Sequence, residues 1–215
     1  MKILFIFAHP DDESYGPGGT IAKLAKDNEV HIFSLCNGAR PGNESVSKKR
    51  VDTFYEVCKM FGAIGTIHNV NDLTLSYHAV VKRIENIVNQ MKPDIIYTHN
   101  ISDIHTDHRL VAEGCMVACR PKPNSTIKEL YFSEIPASSD WSFNQIGPKF
   151  DPNVYVDVSE YIELKKNALS LYSTETYEYP DARSVESMET RAKFRGTQVG
   201  FNYAEAFQLV FSRKS

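Results

Sequence analysis

The sequence predicts an α/β fold, a mostly parallel sheet flanked by helices, and three observations predict it. Short apolar runs at residues 2–7, 30–35 and 94–99 read as buried strands, too short and too rich in β-branched and aromatic residues for helices. Stretches of helical periodicity lie between them. Finally, the first and third runs are each followed by a dense polar cluster, residues 8–13 and 105–108, and ligands of open α/β sheets bind beyond the carboxyl ends of strands.

Composition narrows the class. A chain of 215 residues, 42% of them hydrophobic, can bury one sizeable core, and no compositional shift marks a boundary, so residues 1–215 read as a single domain. The net charge is −3 with Lys and Arg spread along the chain, which lacks the basic footprint of a nucleic-acid binder. No apolar stretch approaches the roughly eighteen residues of a membrane span, and the first run meets three carboxylates too soon for a signal peptide. A cytoplasmic protein with a small-molecule partner and neither nucleic acid nor membrane is expected, and a homo-oligomer is compatible with the sequence. Cys36, Cys58, Cys115 and Cys119 then read as reduced, buried thiols.

Taken in order, the strand at 2–7 leads through Gly16, Pro17, Gly18 and Gly19 into a helix that starts near Thr20. That glycine turn does not match the dinucleotide fingerprint and reads as close backbone approach. The second strand, 30–35, ends in a loop over 36–47 broken by Gly38, Pro41 and Gly42, followed by a helix over 48–61 stopped by Gly62. Arg50 falls in the first turn of that helix, where the dipole disfavours a cation, so an anionic neighbour is expected. A short strand at 66–70 precedes Asp72, and Val80, Ile84, Val88 and Met91 mark a core-facing helix closed by Pro93.

The strand at 94–99 opens into a loop with two His and two Asp, then a helix carrying Val111 and Cys115. Strands at 129–133 and 153–158 flank a long loop, residues 136–152, expected to be a lid, binding loop or contact, with Trp141 and Phe143 as its apolar anchors. Two helices follow, around 161–171 and 185–194, with an irregular stretch over 172–183 between them. The chain closes on an added strand near 204–211.

Imidazole and carboxylate suit zinc, with another divalent ion such as Fe2+ as the alternative, and a catalytic zinc needs three protein ligands and an open position. His9, Asp12 and His108 are the expected ligands. Asp11 adjoins a ligand but projects differently, which places it to accept the proton of an attacking water. A protonated His105, oriented by Asp107, is the expected donor to the oxyanion and to the leaving amine.

The His-Pro-Asp-Asp-Glu run after the first strand, paired with Asp103-Ile104-His105-Thr106-Asp107-His108 after a later one, resembles the LmbE/PIG-L family of zinc-dependent N-acetylglucosaminyl deacetylases. Cys36-Asn37-Gly38, the run from Arg195 to Gly200 and the run from Tyr203 to Phe207 extend the resemblance to the bacterial branch that includes bacillithiol-pathway enzymes. The resemblance implies a Rossmann-like domain, zinc on His9, Asp12 and His108, Asp11 as general base and His105 as its acid partner. It also implies substrate binding by Arg50 and Asp72, with Asp103 assigned beside them. Thr53 and Thr106 depart from the family's usual acidic residue and proline. The implied reaction removes the acetyl group of an N-acetylated amino-sugar conjugate. Arg50, with Arg191 or Arg195, could then meet an anionic aglycone such as malate or a phosphate.

Two rival readings belong to other classes. Two His and one carboxylate also describe non-haem Fe(II) oxygenases, which need no adjacent base. A non-catalytic nucleotide-binding module would use the glycine turn and no metal. A serine nucleophile elbow is absent from the sequence, and Cys36 has no evident partner base.

Overall fold

The computed structural model describes residues 1–214. Its centre is β1 (Lys2–Phe7), whose alternating side chains enter two separate cores. Ile3, Phe5 and Phe7 point to one face of the sheet and Leu4, Ile6 and Ala8 to the other, all of them buried. Burial on both faces explains why this strand reads as a continuous apolar run.

Four further strands run parallel to it: β2 (Glu29–Ser34), β3 (Ile64–Ile67), β4 (Ile95–His99) and β5 (Glu129–Ser133). β6 (Val154–Asp157) and β7 (Ala204–Ser212) complete a seven-stranded sheet in the order β3-β2-β1-β4-β5-β7-β6, with β7 antiparallel to both neighbours. The order reverses between β1 and β4, which is the switch point where such sheets open a crevice. Both polar clusters of the sequence leave the sheet there.

One face is covered by α2 (Gly18–Leu24), α3 (Glu44–Phe61), α6 (Ile162–Leu171) and α7 (Val185–Thr197), which share a core with Phe5 and Phe207 of the sheet. The other carries α4 (Tyr77–Met91) and α5 (Thr106–Ala118), whose Val80, Ile84, Val111 and Cys115 meet Leu4 and Ile6. The four cysteines are free and buried, as expected. Among the described residues, no helix is long and apolar enough to cross a membrane.

Several boundaries differ from the sequence expectation. A short helix, α1 (Asp12–Tyr15), occupies what reads as loop. α3 begins at Glu44, inside the segment whose Gly and Pro suggest irregularity, so Arg50 stands in its second turn and the dipole argument for it lapses. β3 starts two residues earlier than expected and leaves the sheet after Ile67. Trp141 and Phe143 are not anchors of the long loop: they are 48% and 71% exposed, while Ala137 within it and Ile135 just before it are buried.

Candidate active site

The loops after β1 and β4 bring their side chains to one point. His9 Nδ1 and His108 Nε2 face each other at 3.2 Å. Asp12 Oδ1 is 3.3 Å from His108 Nε2, and Asp12 Oδ2 is 3.6 Å from His9 Nδ1. All three residues are buried. A carboxylate stands at the far nitrogen of each imidazole: Asp107 Oδ2 is 3.0 Å from His9 Nε2, and Asp103 Oδ1 is 3.3 Å from His108 Nδ1. Each outer carboxylate faces one ring nitrogen and so aims the other nitrogen of that ring inward, beside Asp12. Two nitrogens and a carboxylate so oriented fit a divalent cation with an open position.

Helix geometry explains the placement. Thr106 takes the first helical position of α5, a place that proline also suits, and Asp107 and His108 follow in the first turn. Asp107 therefore projects to His9, and its Oδ2 also accepts Leu73 N–H at 2.8 Å. Its carboxylate does not orient His105, contrary to expectation: His105 caps the helix by accepting the Asp107 backbone N–H on Nδ1 at 3.2 Å. Burial and the neighbouring His9 and His108 hold His105 down at about 3, so it is a neutral ring with its proton on Nε2 and not the protonated donor expected. Its ring lies 4.7 Å from those of both His9 and His108.

Asp103 is fully buried, and both its oxygens are engaged. Oδ1 accepts the His105 N–H at 2.8 Å, and Oδ2 accepts the hydroxyls of Ser138 and Ser139 at 2.9 and 2.8 Å. It backs His108 instead of facing a substrate. His99 has no role in the sequence reading, yet its ring stacks on His108 with centroids 3.9 Å apart. Its Nε2 accepts the Ala8 N–H at 2.8 Å, and burial pushes its pKa down to about 4, so it is a neutral wall behind His108.

Asp11 adopts φ 124°, a left-handed conformation that costs an aspartate on the order of 1–3 kcal/mol. Glu13 holds it there. Glu13 Oε2 accepts the Asp11 N–H at 3.0 Å, while Oε1 accepts Tyr172 Oη and Ser14 Oγ at 2.8 and 2.7 Å. The twist turns the Asp11 carboxylate away from Asp12 toward two guanidiniums, Arg183 Nη2 at 2.6 Å and Arg50 Nη2 at 3.0 Å, both on Oδ2. Oδ1 has no hydrogen-bond partner among the described residues.

Arg50 is buried and largely committed: it donates to Gly38 O at 2.6 Å and Pro10 O at 2.9 Å, and lies 3.5 Å from Glu175. Gly38, at φ 79°, makes room for it, since a Cβ there would stand 2.6 Å from Arg50 Nε. Asp72 accepts the Gly38 N–H at 3.1 Å and lies 3.9 Å from His9 Nε2. Arg191 and Arg195 pair with Glu134 and Asp140 away from these groups, so neither awaits an anion here. The glycine turn is occupied too: Gly19 and Thr20 N–H donate to Glu205 at 2.9 and 2.7 Å, which removes the donors that a nucleotide phosphate would need.

Above this floor opens a cavity of about 390 Å³, lined by His9, Asp11, Asp12, Asp72, His105 and His108 among others. The volume falls within the range of small-molecule sites.

Residues 4–119, which span both loops, match the PIG-L family model, described as GlcNAc-PI de-N-acetylase. The chain belongs to this family. It is 30% identical to the uncharacterized deacetylase YaiS of Escherichia coli, across 80% of this chain and 90% of that one. It is 25% identical to the probable N-acetyl-alpha-D-glucosaminyl L-malate deacetylase 2 of Bacillus cereus, across 81% and 83%. Among solved structures, the fold matches N,N'-diacetylchitobiose deacetylase from Pyrococcus horikoshii with a TM-score of 0.79 at 22% identity, covering 97% of this chain and 83% of that one.

Proposed function

We propose that this PIG-L family member is a zinc-dependent hydrolase that removes the N-acetyl group of an N-acetylglucosamine-type conjugate, giving acetate and a free amine. The observation that carries the reading is the pair of inward imidazole nitrogens beside Asp12, with the Asp11 carboxylate turned separately toward the cavity. When bound to His9, Asp12 and His108, zinc lowers the pKa of water from about 15.7 to about 7 and polarises the amide carbonyl.

The chain's own residues do the rest. Asp11 Oδ1 takes a proton from the attacking water while Arg50 and Arg183 fix Oδ2. His105, its Nδ1 occupied by a backbone N–H, presents Nε2–H to the carbonyl oxygen as charge builds there. The C–N bond then breaks, and the proton held by Asp11 passes to the departing amine. Asp72, at the cavity wall beside His9, is placed to receive a sugar hydroxyl. Asp11 serves only the hydrolytic scheme; an Fe(II) oxygenase has no task for it.

The test is amine release from N-acetylglucosamine and N-acetylglucosaminyl malate by metal-stripped, zinc-restored and Fe2+-restored protein and by zinc-restored Asp11→Ala. Amine only in the metal-restored samples, with a fall of at least about 100-fold in the variant, supports the reading. A folded, zinc-loaded wild type that releases no amine from a broad panel of N-acetylated sugars overturns it.

A further inference from the structure

Three apolar side chains stand exposed around the mouth of the cavity, each from a different loop. Leu73 follows β3, Ile104 follows β4 and Trp141 follows β5, with 53%, 40% and 48% of their surfaces open. A single exposed apolar residue means little, but three convergent ones at the lip of a polar cavity form a ligand-facing patch.

They are also held in place. Leu73 sits at φ 61°, a strained conformation for a large side chain, fixed by its N–H on Asp107. Trp141 rides on a 3-10 turn whose Asp140 caps the Ala137 N–H and whose Ser139 hydroxyl bonds Asp103. Four of the cations that could recognise an acidic aglycone are engaged elsewhere: Arg50 and Arg183 on Asp11, Arg191 and Arg195 on Glu134. Arg40 is the remaining guanidinium at the lip and, among the described residues, has no ion-pair partner.

We propose that Leu73, Ile104 and Trp141 form the aglycone subsite, and that it takes an uncharged ring with an apolar face, a second hexopyranose or an aryl group, attached to the N-acetylated sugar. The inference rests on the deacetylase reading above and names the substrate class of that same site. Trp141 supplies the flat face on which such a ring stacks, and Leu73 and Ile104 add apolar surface to the same cavity.

Trp141 is the only tryptophan in the chain, so its fluorescence reports the subsite directly. The Asp11→Asn protein is titrated with N-acetylglucosamine, its malate conjugate, N,N'-diacetylchitobiose and an aryl N-acetylglucosaminide, and kcat and KM are measured for wild type, Trp141→Ala and Trp141→Phe. We expect saturable quenching at lower concentration with the two ring-bearing ligands, and a wild-type kcat/KM preference for them over the monosaccharide of about five- to tenfold. Trp141→Ala should abolish that preference through KM, and Trp141→Phe should keep most of it. The disaccharide and aryl arms identify which ring is preferred. Equal or better turnover of the malate conjugate, lost in Arg40→Ala, overturns the subsite while leaving the deacetylase reading intact. No amine from any substrate, with folded zinc-loaded protein, overturns both.

Discussion

Asp107 Oδ2 lies 3.0 Å from His9 Nε2, and that contact, not one with its sequence neighbour His105, defines what Asp107 does. It orients the ring of His9, a proposed metal ligand, from its far side and makes the inward nitrogen more basic.

Asp107→Asn is therefore expected to weaken zinc binding about 10- to 100-fold, measured by competition against a chromophoric chelator. His105→Ala should lower turnover at saturating zinc and leave the dissociation constant near that of the wild type. A comparable loss of zinc affinity in His105→Ala would make that ring a fourth ligand.

Metal loading should depend on pH with a definite sign. Burial opposes charge on His9 and His108, but hydrogen bonds and nearby carboxylates outweigh it and raise them from 6.5 to about 9 and about 10. Two N–H groups cannot point at each other across 3.2 Å, so the pair shares one proton in the cavity, and a bound cation must displace it. Zinc affinity should rise by about tenfold per pH unit below the pair's pKa, with one proton released per ion in buffers of different ionisation enthalpy. Stability of the metal-free protein should run the other way: a raised pKa stabilises fully below about pH 6.5 and loses that contribution as pH climbs through about 9 to 10. Thermal denaturation of metal-free and zinc-loaded samples across this window tests both directions.

Glu13 is expected to act through Asp11. It is fully buried, and burial pushes its carboxyl up to about 7. Removing it in Glu13→Ala frees the Asp11 N–H and lets the strained φ relax, which should cut kcat by about 10- to 100-fold with KM little changed. Glu13→Gln can keep an oxygen on Asp11 N–H and turn its amide to the Tyr172 hydroxyl, so it should recover most of the activity. If both variants lose kcat equally while their melting temperatures match the wild type, this positioning role is wrong.

The parts legible in the sequence were those with a local cause. Charged groups placed directly after apolar runs disclose the two loops, because burial of His9, Asp12 and His108 demands a compensating partner. The alternation of β1 and the stripe of α4 follow from periodicities of two and 3.6. What stayed hidden depends on long-range geometry. Arg183 reaches Asp11 from 172 residues away, inside a stretch with no regular pattern. His99 is merely the last residue of a strand until β1 lends it the Ala8 N–H. Arg191 and Arg195 look available for an anion because Glu134, their partner, lies in the distant loop after β5.

The position of β7 inside the sheet has a consequence for the order of assembly. β6 pairs with β7 alone, and Glu205 of β7 both caps α2 and pairs with buried Lys165 at 2.7 Å. A chain emerging from the ribosome therefore displays the His9–Glu13 turn long before the strand that braces its neighbouring helix exists. Contacts so far apart in sequence are slow to form. Completion of the site should thus be among the last events of folding, timed by synthesis of residues 204–212.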